Sequence, residues 1–437
     1  MKYHLITHGC QMNEHDSERI AALLEQAGYT ATHRLEEADL VLFNTCLVRE
    51  NAELKVLGQI GALKKWRTEK EDRILAVSGC MMQTGPAKEL IERRYPQVDL
   101  VFGTKNIEKL PYLLKRVQAK ERVFDTEPYE ADGGLPLASF ERSNHFSAYV
   151  NIMTGCNNFC SYCIVPYARG REQSRPPRAV LEEVSELARK GYLEITLLGQ
   201  NVNSYGQDFD CTFPDLLRQV ARIDGIRRVR FMSSHPKDLS SRLIEVMAEN
   251  PVIERHFHLP LQSGSDRVLK EMNRKYQVDD YRRLVNQLRA AMPEITLTTD
   301  LIVGFPGERE EDHQATLALL RELKFDNAFT FLYSVRPGTL AAARRDQVPS
   351  EIKSRRYQEL CDTLYPIFYQ KNQSQINRLQ EVLFDTISKK DESKISGRDS
   401  GNRLIHVKGP HSLVGQIKKV KITEANSFAL MGTILED

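Results

Sequence analysis

The stretch TGCNNFCSYCIVPYARG, Thr154–Gly170, carries three cysteines, Cys156, Cys160 and Cys163, with three and then two residues between them. Thiolates are costly to hold this close unless a cation lies among them. A structural zinc site takes four ligands in a tetrahedron, commonly as two close pairs, and the motif holds no fourth Cys or His. Short-spaced thiolates also suit an iron–sulfur cluster, whose charge several cysteines share. Three cysteines on a 4Fe–4S cube leave one iron with an open position for a substrate or cofactor, whereas a simple electron carrier has four protein ligands.

The motif ends the strand-like run SAYVNIMTGC, and five similar runs follow it: EITLLGQNVNS, VRFMSSHP, HFHLPLQSG, TLTTDLIVGF and NAFTFLYSV. Helical stretches such as RAVLEEVSELARKG and VDDYRRLVNQLRAAM separate them. Six strand–helix units predict a parallel barrel two units short of the eight that close one, with a lateral mouth for a bulky substrate. Polar residues follow the strands, among them Gln200, Asn201, Ser233, Ser234, Gln262, Ser263, Asp300 and Tyr333. That face carries the active site in such barrels.

Toward the N-terminus, YHLITHGC, ADLVLFNTC and RILAVSGCMM alternate with NEHDSERIAALLEQAGY and NAELKVLGQIGALKKWRTE, the rhythm of a doubly wound α/β sheet. Cys10, Cys46 and Cys80 each follow a strand, so a parallel sheet would bring all three to its carboxyl edge, where such folds bind ligands. A second three-thiolate cluster site is one reading. The other is that small buried cysteines pack well at strand ends.

The segment DTEPYEADGGLPLASFERSNH gathers Pro, Gly and acidic residues as a linker would. The expected organisation is an N-terminal domain over 1–120, a linker over 121–145, a barrel over 146–375 and a small antiparallel β-barrel over 376–437. The last shows period-2 alternation and basic positions that could follow a phosphate backbone, interleaved with acidic Asp391, Glu392 and Asp399. Over 437 residues the net charge is +2, which neither demands nor excludes a nucleic-acid partner. Eight cysteines in so long a chain do not make a disulfide scaffold. No run of about 18 apolar residues and no signal-peptide pattern is present, so a cytoplasmic protein without a membrane partner is expected.

The triad, with aromatic Tyr162 before its last cysteine, resembles the signature of radical S-adenosylmethionine enzymes. The resemblance implies a partial (β/α)6 barrel, a 4Fe–4S cluster on Cys156, Cys160 and Cys163, and S-adenosylmethionine chelating its open iron and cleaved to a 5'-deoxyadenosyl radical. HGCQMNEHDSE, NTCLVRENAELK and SGCMMQ narrow the likeness to the methylthiotransferases, as do LLGQNVNSYG, SSHPKDL, HLPLQSGSDRVLKEMNRKY, TDLIVGFPGE and YSVRPGT. These imply a second 4Fe–4S cluster on Cys10, Cys46 and Cys80, and an RNA-binding TRAM domain as the tail. The wording around Cys10 and Cys46 looks most like the branch that methylthiolates C2 of N6-isopentenyl (dimethylallyl) adenosine at tRNA position 37. Branches acting on threonylcarbamoyladenosine or on a ribosomal protein aspartate carry different residues there. Ala168 departs from the Thr that many of these enzymes have in PYTRG.

On this resemblance Tyr162, Gln200, Asn201, Ser234, Gln262, Asp300 and Tyr333 are the candidates to hold the cofactor. Gly304 and Gly307 could let backbone approach its adenine. Arg169, Arg171, Lys389, Lys390 and Lys419 are candidates for RNA; Arg169, Arg171, Arg175 and Arg178, which follow the triad closely, could meet RNA phosphates or the cofactor carboxylate, with surface arginines beside acidic neighbours such as Glu172 as the plainer alternative. Cys211 and Cys361 are not expected to bind metal. An external electron donor such as a flavodoxin or ferredoxin is implied, and a monomer is expected. An iron–sulfur RNA-binding or electron-transfer protein without enzymatic activity would explain the cysteines but not the open coordination.

Overall fold

LVLFNT and ILAVSG are buried along their whole length, which is how strands covered on both faces read in a parallel sheet. They are β3 (Leu40–Thr45) and β4 (Ile74–Gly79) of a six-stranded sheet that also contains β1 (Lys2–Thr7), β2 (Thr30–Ala31), β5 (Leu100–Phe102) and β6 (Val123–Asp125). The order is β2-β1-β3-β4-β5-β6, every pairing parallel. Alternate residues of β3 enter different cores: Leu40 and Leu42 meet Ile20, Leu24 and Leu113, whereas Val41 and Phe43 meet Val56, Ile60 and Ile91. Burying such a side chain contributes about 1.5–3 kcal/mol, so both faces hold helices tightly. The chain leaves β1 toward β2 and returns on the other side as β3, which makes the β1/β3 boundary a topological switch point.

The computed structural model describes residues 1–47, 50–127, 142, 144–388 and 391–435. It divides into two compact units, one of Met1–Asn144, Tyr149–Asn157 and Ile164–Gln173, the other of His145–Ala148, Asn158–Cys163 and Ser174–Asp437. Most of the expected linker, 128–141 and 143, lies outside the described residues.

The six barrel strands are β7 (Ser147–Asn151), β10 (Glu194–Leu198), β11 (Arg228–Phe231), β12 (His256–His258), β13 (Thr296–Val303) and β14 (Asn327–Leu332); a ribbon of β8 (Met153–Thr154) and β9 (Gln173–Ser174) follows the first. They form two three-stranded sheets, ordered β11-β10-β7 and β12-β13-β14, and a parallel bridge between Val229 and Ile253 joins β11 to the residues before β12. The tail closes into a barrel, β15 (Leu379–Ile387), β16 (Lys394–Arg398), β17 (Leu404–Lys408), β19 (Leu430–Ile434) and β18 (Ile417–Ala425). Four of its pairings are antiparallel, as expected; the fifth, β17 with β19, is parallel and completes the ring.

Charge fixes the tail to the amino ends of the barrel strands. Arg230 pairs with Glu194 and Glu254 at 2.9 Å each; Glu194 opens β10, Arg228 opens β11, and Glu254 stands two residues before β12. The Arg230 guanidinium also donates to the Asp399 carbonyl at 2.7 Å, and Arg228 donates to the carbonyls of Glu381 and Arg398 at 2.8 and 2.9 Å. The opposite, carboxyl edge is thereby left to the chemistry.

Candidate cluster and cofactor sites

In the first unit Cys46 and Cys80 come directly after β3 and β4, and Cys10 three residues after β1 ends, on three neighbouring strands beside the switch point. Cys10 is exposed, Cys46 and Cys80 buried, and none of the eight cysteines forms a disulfide. Cys10 caps the helix Gln11–Gln26, at the positive end of its dipole. Gly79 has φ +102°, and a Cβ there would lie 2.3 Å from the Thr45 carbonyl oxygen; only glycine lets the chain before Cys80 run so close to that before Cys46. A buried polar lattice lies beneath: Asn13 donates to Asn44 and to the Thr45 carbonyl, and Asn44 donates back to the Asn13 carbonyl and to Ser17.

The Cys80 thiol is pushed up to about 11 by burial, with Arg169 pulling it down and the charges of Asp16, Cys10 and Cys46 pushing it further up. Cys80 is thus within electrostatic reach of Cys10, Cys46 and Arg169. Among the described residues no three His, Cys, Asp or Glu side chains are placed to share a single metal ion. A cube differs, since each cysteine binds its own iron and the thiolates stand farther apart than around one ion. Three thiols at adjacent strand ends with a cation beside them fit such a group.

Arg169 is the cation, and its place corrects the expectation that it meets RNA. Its side chain is 8% exposed; Nη2 lies 2.8 Å from Asp16 Oδ2 and Nε 3.2 Å from Cys80 Sγ. Ala168 beside it packs with Leu47, Cys80 and Ile164, so the position at which this sequence departs from PYTRG borders a sulfur.

The loop of the central triad is set by another glycine. Gly155 has φ +78°, and a Cβ would fall 1.9 Å from the Arg171 carbonyl oxygen; the Cys156 amide donates to the Gly170 carbonyl at 3.1 Å. In the second unit the Cys163 amide donates to the Cys160 carbonyl at 2.9 Å, and Ser161 is tied through its backbone to Met272 and Ala341. Buried Arg274 places Nη1 3.5 Å from Cys160 Sγ while donating to the Pro260 carbonyl and to the Tyr276 hydroxyl. Each triad therefore has a buried guanidinium against one of its sulfurs.

The carboxyl edge of the barrel is polar, buried and incompletely paired. Asn201 gives its amide nitrogen to Asp238 at 2.7 Å, but its Oδ1, both amide atoms of Asn203, Ser234 Oγ and the Tyr333 hydroxyl are buried without a protein partner. Native interiors rarely leave such groups unpaired, and this set suits a ligand that offers amino, carboxylate and hydroxyl groups. The Val202 amide bonds the Ser233 carbonyl at 3.0 Å, bringing the two loops together. Ser233 and Gln262 take φ of +68° and +71°, strained backbone of the kind that collects at functional sites. Asp300 faces His258 at 3.5 Å. Tyr162 and Ile302 pack against Phe305 and Tyr333 to form an apolar wall. Burial, with Arg274 and Lys237, lowers the His235 pKa to about 2, so that ring is neutral.

Gln200 lies beside Asn201 at this edge, half-buried. Arg175 and Arg178 pair with Glu183 and Glu182, the plainer of the readings entertained for them. Arg171 and Lys419 are exposed, Lys419 opposite Glu381 in the β15–β18 register. Lys389 and Lys390 lie outside the described residues. Sequence reasoning missed Asn203, Arg274, Asp16, Asn13 and Asn44. All stand inside the quoted motifs, but no periodicity marks which of several polar residues turns inward.

Residues 2–103 match the Uncharacterized protein family UPF0004, 150–320 the Radical SAM superfamily and 373–435 the TRAM domain. The tRNA-2-methylthio-N(6)-dimethylallyladenosine synthase of Finegoldia magna is 49% identical over 99% of this chain and 94% of its own length. The enzyme of that name from Alkaliphilus oremlandii is 49% identical over 100% and 93%. Among solved structures, a radical S-adenosylmethionine methyltransferase, TsrM from Kitasatospora setae, with tryptophan substrate and a SAM analog bound, aligns with a TM-score of 0.57 at 17% identity, covering 78% of this chain and 75% of that one; this likeness concerns the fold alone. With two triads at strand ends, a six-stranded open barrel and full-length relatives of one name, the chain belongs to the tRNA-2-methylthio-N(6)-dimethylallyladenosine synthase (MiaB) family of radical S-adenosylmethionine methylthiotransferases.

Proposed function

We propose that this chain adds a methylthio group to C2 of N6-dimethylallyladenosine at position 37 of tRNA, using S-adenosylmethionine and two 4Fe–4S clusters. The observation that carries the reading is the pair of cysteine triads at strand carboxyl ends, each with a buried arginine on one sulfur. Cys156, Cys160 and Cys163 would hold one cluster, Cys10, Cys46 and Cys80 the other. A reduced cluster with an open iron supplies, together with S-adenosylmethionine, the radical chemistry that an adenine C–H bond without useful acidity requires.

The protein's own groups bind and orient. Asn201, Asn203 and Ser234 offer unpaired polar atoms to the cofactor's amino acid and ribose, while Tyr162, Phe305 and Tyr333 give an apolar wall that excludes water. The adenine has to leave its stack to be reached; the TRAM barrel, with exposed Lys419, and Arg171 would follow the tRNA backbone. An external reductant of the flavodoxin or ferredoxin class completes the scheme. No helix among the described residues is long and apolar enough to cross a membrane.

The decisive test is anaerobic incubation of the reconstituted protein with S-adenosylmethionine, dithionite and tRNA bearing dimethylallyladenosine, followed by mass spectrometry of the nucleosides. Conversion to the 2-methylthio nucleoside is expected. Unchanged dimethylallyladenosine, with a methylthio group gained instead by threonylcarbamoyladenosine or a ribosomal protein peptide, would assign the other branch. A finer test concerns Ser234→Ala. Loss of one hydrogen bond is expected to weaken S-adenosylmethionine binding about two- to ten-fold by calorimetry, and an unchanged Kd would remove Ser234 from the site.

A further inference from the structure

We propose that Arg169, held by Asp16, is the positioning and charge-balancing donor of the cluster at Cys10, Cys46 and Cys80. The inference rests on reading those cysteines as a cluster site and assigns a role to a residue outside the ligand set. Arg169 follows Cys163 by six residues, yet its segment, Ile164–Gln173, belongs to the first compact unit. There its guanidinium is shared between a carboxylate and a sulfur: Nη2 to Asp16 at 2.8 Å, Nε to Cys80 Sγ at 3.2 Å.

Burying a guanidinium is costly unless partners compensate. Asp16 alone would pair it, but at an Asp–Arg site both carboxylate oxygens commonly engage the fork. Here one face of the fork is turned to the thiol instead. Cys80 is buried and packs with Leu47, Ile164 and Ala168, and in that low dielectric a charged hydrogen bond to sulfur is strong. Donors to ligand sulfurs and nearby charge are the means by which a protein sets a cluster's potential. Asp16 lies on the helix that Cys10 caps. The pair therefore also ties the segment behind the central triad to the helix bearing one auxiliary ligand and to the sulfur of another.

The test isolates the auxiliary site in full-length protein with Cys156, Cys160 and Cys163 changed to alanine, and reads the midpoint potential by EPR-monitored titration. A cation near a sulfur stabilises the reduced, more negative cluster. Arg169→Gln is therefore expected to shift the potential negative, and Arg169→Lys to return most of the shift. Asp16→Asn, which removes the anion and leaves the cation, is expected to shift it positive. Opposite signs are a signature that mere structural loosening does not give. Equal potentials in all variants, or shifts of one sign for Arg169→Gln and Asp16→Asn, would overturn the proposal. If Arg169→Gln assembles no cluster, the lysine and asparagine variants decide: a positive shift in Asp16→Asn with a near-native Arg169→Lys supports it, and any other pattern overturns it. A parent protein that binds no cluster at all refutes the reading of the three cysteines, and the proposal with it.

Discussion

Alanine at Cys160 is expected to leave the protein folded and chemically inert. The side chain is 8% exposed, and removing one small sulfur from such a site costs stability on the order of 1 kcal/mol. The functional loss is of another size. A cube that already leaves one iron without a protein ligand would keep only two thiolates, so about four of the roughly eight irons expected per chain should be lost. Formation of 5'-deoxyadenosine from S-adenosylmethionine should fall to the level of a protein-free control, with no methylthiolated nucleoside. Arg274 would report the change locally, because its Nη1 loses the sulfur while its bonds to Pro260 and Tyr276 remain. Cys211→Ala is the matched control: Cys211 lies near Thr212 and Gln219, remote in sequence from both triads, and full iron content is expected. Full iron content in Cys160→Ala would mean that the central triad does not hold the cluster.

Much of this architecture is written in local patterns. The strands of the doubly wound sheet are apolar runs that end in cysteine, and because parallel strands share one carboxyl edge, their order in sequence already places Cys10, Cys46 and Cys80 together. The barrel was legible for the same reason: six strand–helix units, each followed by polar residues, specify an open edge. What stayed hidden depends on long-range choice. Arg169 stands among Arg171, Arg175 and Arg178 in the sequence, and nothing local distinguishes the one that turns inward to Asp16, 153 residues away. Asn201 and Asn203 share one short loop, and only packing shows that both bury polar atoms. The parallel closure of β17 on β19 escaped because alternation reports that a strand is half-buried and not the direction of its neighbour.

The second large effect lies far from the chemistry, at Arg230. Its guanidinium is 7% exposed and neutralises Glu254 and Glu194, which are 6% and 14% exposed. Removing it strips Glu194 of its cation and leaves Glu254 only Arg228, at 3.6 Å; breaking a buried pair costs about 3–5 kcal/mol. Arg230→Ala also deletes donors to the carbonyls of Asp399 and Ser400, so the TRAM barrel should loosen from the barrel strands and become the first part cut in limited proteolysis. The pH dependence follows from Glu254, whose pKa burial raises even with Arg230 and Arg228 pulling it down. For a carboxyl raised in the folded state, the folded protein binds more protons than the unfolded one above the ordinary carboxylate range, so stability falls as pH rises. Without Arg230 that fall steepens. The variant should approach wild-type stability near about pH 5 and lose most by about pH 8, measured as the melting temperature across pH. Replacing Arg230 and Glu194 together by apolar residues of similar volume, with Arg228 kept to pair Glu254, should recover part of the loss, because the cost arises from a stranded charge rather than from an absent attraction. A deficit in Arg230→Ala that is the same at both pH values would show that the carboxylate is already solvated, and that the tail is held by its backbone contacts alone.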